Sequence, residues 1–202
     1  ARIVHRDLKP ANIIVDFQGE PHIMDFGLSR DFSHASDLSV SGTLIGTPAY
    51  MSPEAARGEI RKVDVRSDVY SLGVILYELL THSQPFQGNT LYDTITRVIS
   101  DEPRPPRDFN ESLGGDLDTI VMKAIEKNPD NRYQTMAALA NDMQAYRNAE
   151  PISARPVTSL ERTWRRLKKH KKVLAGVAVA LVVILSLLVM LVAKTSYMER
   201  LD

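Results

Sequence analysis

The chain has no cysteine in 202 residues, which excludes a disulfide framework, a thiolate zinc site and a thiol nucleophile. Net charge is absent too. Its 25 lysines and arginines balance 25 aspartates and glutamates, so no global basic surface points to nucleic acid as a partner. No leader with a charged start and an apolar middle opens the sequence. It begins at Ala1, and Arg2-Ile3-Val4 runs directly into a polar motif, so the expectation is a piece of a longer chain. The 44% hydrophobic content allows one sizeable globular unit plus something else.

What is present is organised around His5-Arg6-Asp7-Leu8-Lys9-Pro10-Ala11-Asn12. An apolar run, Ile13-Ile14-Val15, follows, and then Asp25-Phe26-Gly27. Taken singly, each polar residue here reads as a turn cap. Joined, they resemble the catalytic loop H-R-D-L-x-x-x-N and the metal-binding D-F-G of eukaryotic-like (Hanks-type) serine/threonine protein kinases. The likeness runs from residue 1 to about residue 148. It implies a mainly α fold with a small β-hairpin, the C-terminal lobe of a protein kinase.

Phosphoryl transfer needs positioning and charge neutralisation more than covalent chemistry. By resemblance Asp7 is the catalytic base, and Lys9 lies on the transferring phosphate, at a spacing like the serine/threonine type. Asn12 and Asp25 offer the oxygen ligands that Mg2+ prefers. Ile14 is placed beneath the adenine of ATP, although an ordinary core isoleucine fits the sequence equally well. His5, Phe26 and Gly27 are structural members of the same motifs. No G-x-G-x-x-G occurs, and no V-A-I-K-like lysine precedes His5. The resemblance therefore implies that the N-terminal lobe is absent, and that residues 1–202 alone transfer no phosphate.

Residues 13–24 read as a hairpin turning at Phe17-Gln18-Gly19-Glu20 and holding Asn12 and Asp25 near one metal. From Leu28 to Ala49 periodicity stops, and Ser33, Ser36, Ser39, Ser41 and Thr43 crowd the stretch. Its composition alone says solvated loop. Its place before Ser52-Pro53-Glu54 makes it the counterpart of the activation segment, with Ser39, Ser41 and Thr43 as phosphosite candidates. Arg6 and Arg30 would receive the phosphate. Thr47 would face the substrate and bond Asp7 and Lys9.

A helix capped by Ser67-Asp68 is expected to run to about Thr81, apolar nearly all round and so buried. By resemblance Asp68 bonds the catalytic-loop backbone; a plain N-cap is the alternative. Further helices are expected around Leu91–Ile99, from Asp116 to Ile125, and from Met136 to about Asn148. Arg132, a surface charge by composition, should pair with Glu54 by resemblance.

From residue 149 the composition shifts to a linker, 149–172, ending in the basic run Arg165–Lys172. Residues 173–193 carry no charge, and at ~1.5 Å rise per residue they span about 31 Å as a helix, a bilayer's hydrocarbon thickness. Six basic residues before this run, against Lys194 and Arg200 after it, orient the kinase lobe to the cytoplasm and residues 194–202 outside. The expected partners are protein substrates, a membrane crossed once, anionic lipid at residues 165–172, and a second copy for trans-phosphorylation. ATP and Mg2+ are the expected cofactors. The reading is a membrane-anchored serine/threonine kinase of the bacterial receptor type. A catalytically inactive kinase-like scaffold is the alternative, and a small-molecule phosphotransferase is a weaker one.

Overall fold

The computed structural model describes residues 4–25 and 48–155. Phe26, Gly27, Arg30, Ser39, Ser41, Thr43 and Thr47 lie outside the described residues. So do the basic run 165–172, the apolar run 173–193 and residues 194–202.

Two short antiparallel strands, β1 (Ile13–Val15) and β2 (Pro21–Ile23), pair in the register Ile13↔Ile23, Ile14↔His22, Val15↔Pro21. Asp16 closes their turn. One of its oxygens accepts the N–H groups of Gln18 and Glu20, each at 2.9 Å, and the other meets His22 at 2.8 Å. Gly19 takes φ 85, the left-handed conformation that glycine adopts without steric penalty.

Helices make up the rest: α1 (Pro53–Ala56), α2 (Val65–Thr81), α3 (Leu91–Ser100), α4 (Gly115–Ala124) and α5 (Met136–Arg147). Their starts carry side-chain caps where the sequence supplies short oxygens. Ser52 accepts from Ala55 N–H, Thr90 from Asp93 N–H and Thr135 from Ala138 N–H.

Two expected boundaries move. α2 is capped by Asp64, which accepts the N–H of Arg66 at 2.8 Å, and not by Ser67 or Asp68. Those two fall inside the first turn, where their side chains reach other elements. α4 starts at Gly115 with Gly114 in the cap position, so Asp116 lies in the first turn rather than at the cap.

α2 is the central post, packed against α4, α5 and the short 3₁₀ turn Pro48–Tyr50. Tyr70, Val74, Tyr77, Phe86, Val98, Val121 and Ile125 form one buried cluster, into which Leu8 also inserts. Val69, Ile120, Ala124, Tyr133, Leu139 and Ala154 form a second. α2 is not buried all round, because Leu79, near its C-terminal end, is 67% exposed. Gly73 marks its closest approach to α4: a Cβ there would lie 2.7 Å from Ala124 Cβ and 2.8 Å from Ile125 Cγ2. The packed core also continues past α5. Ile152 and Ala154 pack onto the second cluster, within the stretch that the prolines mark as linker. Among the described residues, no helix is long and apolar enough to cross a membrane.

Candidate active site

The loop between Val4 and Ile13 is held from below by Asp68, the buried carboxylate in the first turn of α2. Its two oxygens accept the backbone N–H groups of His5 at 2.8 Å and Arg6 at 2.9 Å. Burial pushes the Asp68 carboxyl up, against those two bonds and the charge of Arg6. Arg6 needs the support, for its φ of 68 is left-handed and unfavourable for a residue with a Cβ by about 1–2 kcal/mol. Leu8, 3% exposed, pins the loop's other side into the core.

His5 ties the loop to the hairpin. Its Nε2–H donates to the Met24 carbonyl at 2.8 Å, and its Nδ1 accepts the Asp7 N–H at 3.3 Å, which settles the tautomer. The Met24 N–H donates to the Asn12 carbonyl at 2.8 Å. Asp25 follows directly with φ 58, a second left-handed residue with a Cβ, and is exposed. Backbone and imidazole thus join the two polar motifs at adjoining residues.

Two side chains meet that of Asp7. Lys9 Nζ lies 2.8 Å from Asp7 Oδ2, and Asn12 Nδ2 donates to that same oxygen at 3.3 Å and to the Asp7 carbonyl at 2.7 Å. Both neighbours use Oδ2, and among the described residues no side chain bonds Oδ1. The Asn12 amide nitrogen is committed to Asp7, so its oxygen is the atom left for a ligand. Ile14 is 53% exposed among the described residues. The Arg6 side chain is exposed.

The pair expected at a distance is present. Arg132 donates to Glu54 Oε1 at 2.8 Å and to Oε2 at 2.7 Å, and both side chains are almost fully buried. Its remaining N–H groups reach the carbonyls of Glu126, Arg66 and Lys127. Ser67 donates to Glu54 Oε1 at 2.6 Å. Burial alone would raise the Glu54 carboxyl, but the hydrogen bonds and charge of Arg132, with the Ser67 hydroxyl, hold it at about 2.

Reading by residue type missed Tyr50. Its hydroxyl donates to Glu78 Oε2 at 2.5 Å and accepts from Gln84 Nε2 at 3.1 Å, while Ser71 donates to its carbonyl at 2.8 Å. Burial, then the Glu78 bond, pushes the phenol up to about 12. The chain just past Thr47 is thereby fastened to α2. The available signal was an aromatic closing a polar, glycine-punctuated stretch.

The family model described as the protein kinase domain matches residues 1–143. The chain belongs to the protein kinase domain family. It is 44% identical over 163 residues to the serine/threonine-protein kinase PknB of Mycobacterium tuberculosis, covering 80% of this chain and 26% of that protein. PknB of Mycobacterium leprae is 42% identical over 152 residues, 75% of this chain and 24% of that one. A probable serine/threonine-protein kinase of Streptomyces coelicolor is 40% identical over 155 residues, 76% and 23%. The chain spans about a quarter of the length of these curated relatives. The match covers the catalytic-loop motif, the hairpin and all five helices up to residue 143.

Proposed function

We propose that the full-length protein to which these residues belong transfers the γ-phosphate of ATP to serine or threonine hydroxyls of protein substrates, and that residues 1–202 alone do not. The observation that carries the reading is the shared hold of Lys9 and Asn12 on one oxygen of Asp7. That hold presents Asp7 Oδ1 as an oriented acceptor for the proton of the attacking hydroxyl. Lys9, already beside Asp7, balances charge on the phosphoryl group. The names of the relatives support the same transfer. The donor set suits magnesium, with an amide oxygen of Asn12 freed by its own hydrogen bonds and the exposed carboxylate of Asp25. Mg2+, when bound there, neutralises phosphate charge. Ile14, apolar and half-exposed, is the surface offered to adenine.

The test is transfer from radiolabelled ATP by the full-length protein. Asp7→Asn keeps the shape and removes the proton acceptor, and Asp25→Asn removes a metal-binding charge; each should abolish transfer. Unchanged transfer in either variant refutes that residue's role. A full-length protein that binds partners at the membrane but never transfers phosphate would return the scaffold reading.

The finer parts of the proposal rest on sequence. Residues 173–193 form a single membrane span with the lobe on the cytoplasmic side, and residues 165–172 meet anionic headgroups. Arginine at Val183 and Leu185 should release the chain from membranes, at about 2.5–3.5 kcal/mol per charge on insertion scales. Extraction of the unmodified chain by alkaline carbonate would refute the span. Phosphate on Ser39, Ser41 or Thr43, added by a second copy, orders the segment around Thr47. A triple alanine variant as active as the parent would refute that.

A further inference from the structure

Beyond α5 the chain doubles back on the lobe. Ala149 takes φ 56, and the N–H groups of Ala149 and Glu150 return to the carbonyls of Tyr146 and Ala145 at 3.1 and 2.8 Å. This helix-ending turn directs the following residues back along α5. Ala154 is 6% exposed there, and Ile152 packs beside it.

One carboxylate latches this strap. Asp142, 3% exposed on α5, accepts the Ser153 N–H at 2.8 Å, the Ser153 hydroxyl at 3.0 Å, the Ala154 N–H at 2.9 Å and the Tyr133 hydroxyl at 2.8 Å. Burial alone would raise the Asp142 carboxyl, but these donors outweigh it and hold the group below its ordinary value. All four donors are neutral, and among the described residues no lysine or arginine pairs with Asp142. Ser153 itself is exposed, in a non-helical segment beside Arg155.

We propose that Ser153 is a phospho-acceptor whose modification unlatches residues 151–155 from the lobe. The modifying class, an ATP-dependent serine/threonine kinase, rests on the function proposed above; the latch does not. In the step, Ser153 Oγ bonds to the γ-phosphorus of ATP, and the bond from that phosphorus to the β–γ bridging oxygen breaks. ADP leaves, and the hydroxyl proton passes to the kinase's base. The phosphate brings about 1.5 to 2 negative charges and removes the O–H donor. It would stand against the buried Asp142 carboxylate, with which no lysine or arginine among the described residues pairs, so the strap leaves. The two N–H groups then turn to water and Tyr133 remains on Asp142. Each freed residue adds up to about 3.5 Å of reach between α5 and the segment that follows.

The experiment places phosphoserine at position 153 during synthesis of the full-length protein and follows amide hydrogen exchange in detergent micelles. Exchange at Ser153 and Ala154 should accelerate roughly a hundredfold, because two bonds to an ionised acceptor are lost. The core amides of α2 should keep their rates. Ser153→Ala loses only the hydroxyl bond, so its acceleration stays below about tenfold. Unchanged exchange in the phosphoserine chain overturns the latch. Separately, the full-length protein is incubated with ATP and Mg2+, and Ser153 is examined by mass spectrometry. Phosphate there supports the assignment. Transfer to a generic acceptor with Ser153 bare overturns the acceptor role and leaves the proposed function standing. No transfer to any acceptor overturns the proposed function and the acceptor role together, and the exchange measurement still decides the latch.

Discussion

Replacing Arg132 by alanine removes the residue that knits the far side of the lobe together. Its guanidinium donates five hydrogen bonds: two to Glu54, and one each to the carbonyls of Glu126, Arg66 and Lys127. The Tyr70 ring lies 4.9 Å beneath it. Truncation leaves Glu54 ionised and 1% exposed, with Ser67 as its remaining side-chain donor. Breaking a buried pair from one side costs about 3–5 kcal/mol. The carboxyl gives a similar figure independently. Held at about 2 against an ordinary 4.5, it contributes about 3 kcal/mol above pH 4.5. Because the folded value is depressed, that contribution is lost as pH falls from 4.5 toward 2. Urea denaturation should therefore show Arg132→Ala less stable by about 3–5 kcal/mol at pH 7. The variant should also lose much of the parent's decline across the acid window. Arg132→Lys should recover little, because a lysine offers three donors on one nitrogen in place of a planar fork. A cost under about 1 kcal/mol would refute the reasoning. So would a double-mutant cycle with Glu54→Ala in which the two losses simply add.

Tyr70→Phe should be neutral or stabilising by up to about 1 kcal/mol in the same denaturation assay, since the buried Tyr70 hydroxyl has no partner among the described residues. A loss above that would reveal a bond the structure lacks. Gly73→Ala forces a methyl to within 2.7 Å of Ala124 Cβ and should cost about 1–3 kcal/mol; an unchanged midpoint would mean that α2 and α4 separate freely. Asp68→Asn leaves one oxygen to serve two backbone donors and frees the left-handed Arg6. In the full-length protein it should lower kcat at least tenfold, with a smaller change in KM for ATP; wild-type kcat would remove Asp68 from the positioning of Asp7.

The amino-acid order alone determined what is local in this protein. Among the described residues, the groups that converge on the Asp7 side chain lie within the eight residues from His5 to Asn12, and a 3₁₀ turn at Pro10–Asn12 brings them together. The hairpin follows from a β-branched run and a glycine turn, and the helices from apolar spacing opened by Ser52, Thr90 and Thr135. Contacts between distant residues were legible only through family likeness: Asp68 reaches back 63 residues to His5, and Arg132 reaches 78 to Glu54. Composition by itself had made Arg132 a surface charge. Three outcomes belong to the tertiary structure alone. Ser67 and Asp68 serve other elements, so Asp64 becomes the cap of α2. Tyr50 fastens a loop to α2 through Glu78. Asp142, one polar residue among several on α5, gathers a strap that its composition marks as linker. In each case a hydrogen bond is satisfied across the core rather than along the chain. Residue spacing encodes which face a side chain occupies; only packing decides which distant donor waits there.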